Sequence, residues 1–179
     1  MDDLQHTFEA AFEAYSDELF RHASIRLSDR ERAMELTQET FMKVWSYAQK
    51  GGEDIRDLRP FLYRTLRNLI IDEYRKHKTT SLEAMAERNQ ADVEDYLPPD
   101  ESNTLEAAVG RHDGAKALLA LQNLPEPYRE AVVMRYVEGL SPQEIAKAID
   151  ESENVVSVRV HRGLKKLRAL LENNEPASE

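Results

Sequence analysis

The chain has no cysteine among its 179 residues. That excludes disulfides and any thiolate metal site, and it suits a reducing compartment. It has little glycine and proline, 6 and 7 residues, which favours long helices over a turn-rich all-β fold. No apolar run approaches the roughly 18 residues of a membrane span. The N-terminus, Met-Asp-Asp-Leu-Gln-His, lacks the basic start and apolar stretch of a secretory signal. The chain reads as cytoplasmic, with no membrane partner. Its five histidines have no metal-ligand spacing, and no serine, histidine and acid group together. No metal, cofactor or catalytic residue is implied, and the chain does not read as an enzyme.

Basic residues are also outnumbered. Against 34 Asp and Glu stand 24 Lys and Arg, a net charge of −10. The positive charge is concentrated in two places. Residues 55–82 hold seven basic and three acidic side chains; residues 159–168 hold five basic and none acidic. Each island can meet phosphate, while the field of the whole chain opposes unassisted binding to nucleic acid. Recognition that depends on a partner follows from this distribution.

The second island ends the most informative segment. Ser141, Pro142 and Glu144 form a capping box with proline at the first helical position. Ile145, Ala146 and Ile149 then share one face. Asp150-Glu151 makes a turn and Ser152 caps a longer helix. There Val156, Val160, Leu164, Leu167 and Leu171 form a core stripe. Asn154, Ser157, His161 and Lys165 lie on another face, with Arg159, Arg162 and Lys166 beside them. This is the pattern of a helix-turn-helix, whose second helix enters the DNA major groove. His161 fits a phosphate contact, a base contact or an exposed bystander.

Upstream, Leu4, Phe8, Phe12, Tyr15, Leu19 and Ala23 recur at helical spacing. A second helix begins at Asp29, which caps it near Arg32. It carries Leu36, Phe41, Val44 and Trp45 on one side, and Glu35, Gln38, Glu39 and Lys43 on the other. Phe41, Trp45 and Tyr47 read as core packing. Gly51-Gly52 ends this helix. A third helix, 61–76, follows Pro60, with Leu62, Leu66, Leu69 and Ile70 inward. Arg64, Asn68, Arg75 and Lys78 form its polar stripe, with Arg67 alongside. Arg64 and Arg67 fit either a solvated face or a contact surface. Residues 79–103 are polar and acidic and read as a linker. Periodicity returns with Leu105, Val109, Leu118, Leu121 and Leu124. Pro125 and Pro127 start a helix containing Val132, Val133, Tyr136 and Val137. No strand signal of any length is present.

Three blocks together resemble bacterial RNA polymerase sigma factors of the extracytoplasmic-function type. Glu35-Leu-Thr-Gln-Glu-Thr-Phe-Met-Lys-Val-Trp45 is similar to the region 2 helix that docks on polymerase. Pro60-Phe-Leu-Tyr-Arg-Thr-Leu-Arg-Asn-Leu-Ile-Ile-Asp-Glu-Tyr-Arg75 is similar to the helix that recognises the −10 element. The segment from Leu124 through the helix-turn-helix is similar to region 4. The resemblance covers roughly residues 5–78 and 104–171. It implies an all-α fold of two small helical domains, region 2 over 1–78 and region 4 over 104–171. An acidic linker at 79–103 joins them, and 172–179 is a disordered tail. It implies a transcription initiation factor whose partners are core RNA polymerase and promoter DNA, with an anti-sigma factor as a further partner that it allows.

The resemblance also implies residue roles. Glu35, Gln38, Glu39 and Lys43 would bind polymerase. Arg56, Arg64, Arg67, Asn68, Arg75 and Lys76 would bind the −10 element, with one non-template base captured near the Gln49–Arg59 loop. Asn154, Ser157, Arg159, His161, Arg162, Lys165 and Lys166 would bind the −35 element. The linker would thread through the polymerase. Two departures matter. Ser157 stands where the family often has a basic residue, which excludes an arginine–guanine contact there, and Val158 replaces a common serine or threonine. The 49–59 loop has Gly51-Gly52-Glu53-Asp54 and no aromatic. Two other readings fit less well. An autonomous dimeric regulator with a sensing domain has no need of the island at 56–78. An adaptor that had lost DNA binding would not need the basic run at 159–168.

Overall fold

A computed structural model of the protein describes residues 2–27, 29–51, 55, 57–77 and 114–173. The described residues are helical, with no strand among them, and the chain divides into two compact units. Helices α1 (Asp2–Leu27), α2 (Arg30–Gln49) and α3 (Leu58–His77) build the first. The second contains α4 (Gly114–Gln122) and α5 (Glu126–Val132), which runs into a π-helical turn (Val133–Val137). It continues with α6 (Pro142–Ile149) and α7 (Glu153–Asn173). The expected linker at 79–103, Leu105, Val109 and the end of the tail lie outside the described residues.

In the first unit each helix packs on the other two. Asp29 caps α2 as its spacing predicts, its side chain accepting from the Arg32 N–H at 3.0 Å. Past Lys50 the chain leaves the helix through Gly51 at φ +74, a left-handed position that disfavours other residues. Leu19, Ala23, Leu36, Val44, Leu62, Leu66 and Ile70 are fully or almost fully buried. Burying these apolar surfaces, at about 25 cal/mol per Å², holds together helices whose own propensity could not. Two ion pairs cross the core's edge. Arg59 on α3 grips Glu18 on α1 with two bonds, 2.8 and 2.9 Å. Arg32 on α2 reaches Glu73 on α3 at 2.7 Å.

Three aromatic or apolar positions depart from their expected places. Phe12 is 51% exposed, held edge-on against Phe41 at 5.0 Å, and Tyr47 is 41% exposed against Phe61. In α4, Leu118 is exposed while Ala117, Ala120 and Leu121 turn inward. Period alone cannot say how wide the covered stripe is. That depends on how many helices flank it.

In the second unit α7 packs against both α4 and α5. Its stripe of Val156, Leu164, Leu167 and Leu171 is buried as expected, with Val160 half-buried. Val158 is buried as well, although it lies about 160° around the helix from Val156 at 100° per residue. The start of α7 is therefore enclosed on more than one side. Gly163 faces α5 with no room for a side chain. A Cβ there would stand 2.6 Å from Val132 Cγ2 and 3.2 Å from the Tyr128 carbonyl oxygen.

Candidate nucleic-acid interface

The helix-turn-helix is assembled by local bonds that its sequence specifies. The Ser141 N–H donates to Glu144 Oε2 at 2.8 Å, and the Glu144 N–H donates to Ser141 Oγ at 3.2 Å. This reciprocal pair satisfies two donors at the start of α6. Ile145, Ala146 and Ile149 are buried. Asp150 takes φ +59, a left-handed conformation that Asp tolerates better than most residues, and so reverses the chain. Ser152 Oγ then accepts from the Val155 N–H at 3.2 Å and opens α7.

On α7, Asn154, Ser157 and Lys165 are exposed and His161 is half-buried. At 100° per residue these four fall within about 80° of one another. Asn154 and Ser157 are in the first two turns, where base edges are within reach, and Lys165 is further along. The Ser157 hydroxyl donates to the Glu153 carbonyl at 3.0 Å, which leaves its lone pairs for a ligand. Arg162 is half-buried beside this face. Arg159 lies elsewhere: about 160° around from His161, its side chain only 12% exposed and paired with Glu151 at 3.2 Å. Lys166 is exposed and sits over the Tyr128 ring at 5.5 Å.

In the first unit, Glu35, Gln38 and Lys43 are exposed on α2 and Glu39 is half-exposed, paired with Lys43 at 3.4 Å. Glu35 also accepts from Arg32 at 2.6 Å. Met42, one turn after Gln38, is 69% exposed. It borders an apolar groove of about 500 Å³ between α1 and α2, lined also by Phe8, Phe12, Phe41 and Trp45. The sequence reading missed this groove, because it requires α1 and α2 to lie side by side.

On α3, Arg64, Asn68 and Arg75 are exposed and fall within about 40° of each other. Arg67 is half-buried to one side, and Lys76 is exposed on the other. Arg75 pairs with Asp72 at 3.4 Å. Arg56 and Lys78 lie outside the described residues. The strip can follow a phosphate backbone, and its small amide at Asn68 can reach a base edge.

Two basic groups behind these faces are perturbed, one by burial and one by hydrogen bonding. His22 is fully enclosed, 3.5 Å from Arg26, with the Tyr63 ring edge-on at 5.3 Å. Loss of hydration, then the Arg26 charge, holds its pKa well below the usual histidine value. The hydrogen bonds that Arg32 donates to Glu73 and then Glu35 raise its pKa above the ordinary arginine value. Among the described residues no group of three His, Asp or Glu side chains could hold a metal ion, and no helix is long and apolar enough to cross a membrane.

Residues 11–80 match the family model for Sigma-70 region 2, and residues 115–167 that for Sigma-70, region 4. The chain is 29% identical over 173 residues to the ECF RNA polymerase sigma factor SigX of Bacillus subtilis, covering 94% of this chain and 86% of that one. It is 28% identical over 163 residues to SigL of Mycobacterium tuberculosis, with 91% and 88% covered. A similar solved structure is the sigma factor RpoE in complex with the anti-sigma factor NepR from Bartonella quintana. Its TM-score is 0.67 at 23% identity, with 94% of this chain and 99% of that chain covered, a likeness of fold.

Proposed function

This chain belongs to the extracytoplasmic-function group of the sigma-70 family and is a promoter-recognising transcription initiation factor, and from that premise we propose which of its surfaces do the work. Core RNA polymerase docks on the side of α2 that carries Glu35, Gln38, Glu39 and Lys43. Met42 and the adjoining apolar groove support this reading, since they offer apolar contact beside the charges. The α3 strip of Arg64, Asn68 and Arg75, with Arg67 and Lys76 beside it, binds the −10 element together with Arg56. Asn154 and Ser157 read the −35 element, while Arg162, Lys165 and Lys166 meet phosphate. His161 takes part in one of these two ways. Arg159 is paired with Glu151 and contributes mainly by bracing the turn.

One observation carries the reading. A helix-turn-helix with its helix caps made exposes Asn154, Ser157 and Lys165 on one side, in a chain of net charge −10. Such a chain has a reader of bases and little electrostatic affinity of its own, so polymerase must bring it to DNA. The division of labour is region 2 over 1–78 and region 4 over 104–171, joined by an acidic linker at 79–103. The protein catalyses nothing itself and works in the cytoplasm. RpoE from Bartonella quintana was solved with an anti-sigma factor, and an inhibitor of that class is a partner to seek for this chain.

The test is reconstitution. The purified chain should co-elute with bacterial core RNA polymerase and direct initiation from a subset of promoters. The free chain should bind the same promoters poorly at physiological salt. Tight, salt-resistant promoter binding without polymerase contradicts the proposal, as does failure to associate with core enzyme.

A further inference from the structure

The strip on α3 must point outward to meet DNA, and the back of that helix shows how its end is aimed. Leu62, Leu66 and Ile70 anchor its earlier turns in the core. Beyond Ile70 two polar ties take over. Tyr74 donates its hydroxyl to the Arg26 carbonyl on α1 at 2.5 Å, and Glu73 accepts from Arg32 on α2 at 2.7 Å. Glu73 is only 7% exposed. Around α3 it stands about 160° from Arg75, 140° from Asn68 and 180° from Arg64. Holding Glu73 inward therefore turns the strip outward.

We propose that Arg32 is a positioning residue for promoter recognition: it clamps Glu73 and so aims the last turns of the −10-binding helix. It suits the task because its planar fork serves two carboxylates at once. Nη1 meets Glu35 at 2.6 Å while Nη2 meets Glu73. Its own backbone is fixed by the Asp29 cap, so the clamp projects from a rigid helix start. Beside it a polar cleft of about 360 Å³ separates α2 from α3, with Glu39 and Lys43 on one wall and Arg75 and Lys76 on the other. Buried Leu36 and Leu69 also line this cleft, and the Arg32–Glu73 ion pair ties the two helices together beside them. The inference rests on the reading of α3 as the −10 helix.

The test uses holoenzyme and a forked −10 DNA with an unpaired non-template strand. Its readout is the slope of log K against log salt. That slope counts phosphate contacts, at about 0.7–0.9 per contact, and a smaller folded fraction does not change it. Glu73→Leu removes the tie and leaves Arg32 with Glu35 alone, which costs stability but not in a way the slope registers. Loss of the tie should lower the slope by about one contact, that of Arg75, with core affinity unchanged. Glu73→Gln keeps an acceptor for Arg32 and should retain the wild-type slope. Weaker fork binding at an unchanged slope in Glu73→Leu overturns the proposal, as does no change at all. A wild-type holoenzyme that ignores the forked DNA overturns instead the assignment of α3.

Discussion

Gly163→Ala isolates the contact that seats the recognition helix on its support. On an open helix face this change stabilises by about 1 kcal/mol, because Ala surpasses Gly in helix propensity. Here the added Cβ meets Val132 Cγ2 at 2.6 Å, inside any tolerable carbon–carbon distance, and the Tyr128 carbonyl oxygen at 3.2 Å. Neither neighbour yields easily. Val132 is fully buried, its χ1 is stiff in a helix, and the carbonyl belongs to the α5 backbone. Overpacking of this kind costs about 1–3 kcal/mol. Set against the propensity gain, a net loss of about 1 kcal/mol is expected. The only tryptophan is Trp45 in the first unit, so its fluorescence is blind to the change. Amide hydrogen exchange along α7 is the suitable assay, with protection falling about fivefold. Removing the obstructing methyls should relieve the strain. In a double-mutant cycle, Val132→Ala and Gly163→Ala should couple favourably by about 1 kcal/mol. Stabilisation by Gly163→Ala alone, or strict additivity with Val132→Ala, refutes the reasoning.

Along α7, Asn154→Ala should flatten base preference at one or two −35 positions, at about 1–3 kcal/mol of discrimination. Lys165→Ala should weaken all promoters alike and lower the salt slope by about one contact. Binding across a panel of promoter variants separates them, and a reversal of these two patterns disproves the assignment. Gln38→Ala with Glu39→Arg should reduce affinity for core polymerase with the melting curve unchanged; equal affinity by titration excludes that face. His22 is held neutral in the fold, its pKa well below the usual value. Well above pH 6.5, about the ordinary histidine pKa, neither folded nor unfolded histidine is charged, and it contributes no pH dependence. Below that the unfolded chain takes a proton that the folded one refuses, so stability falls with pH until the lowered folded value is reached. The loss is at most about 1.4 kcal/mol per pH unit. His22→Gln should remove that component of the acid sensitivity, followed by Trp45 fluorescence in urea. An identical pH profile in the variant rules it out.

What the sequence by itself determined was whatever depends on neighbours a few residues away. Asp29, Ser141 with Glu144, and Ser152 cap the helices they precede, because a cap needs only its own first turn. Leu62, Leu66 and Ile70, and Leu164, Leu167 and Leu171, are buried as their spacing requires. The candidate faces follow by the same rule: Glu35, Gln38 and Lys43, then Arg64, Asn68 and Arg75, then Asn154, Ser157 and Lys165 are all exposed. Order and spacing of the motifs carried the family, and with it the function.

The tertiary structure decided what depends on which helix lies beside which. Arg32 and Glu73 are 41 residues apart, as are Glu18 and Arg59, and no periodicity links them. Leu118 and Tyr47 have the composition of a core and remain exposed, whereas Val158 is buried off the main stripe. Arg159, one of five charges that look alike in sequence, is turned toward Glu151 and away from the reading face. For the buried and exposed apolar positions the deciding quantity is the number and direction of neighbouring helices. Local pattern sets which side of a helix can be covered; only packing sets how much of it is covered, and by what.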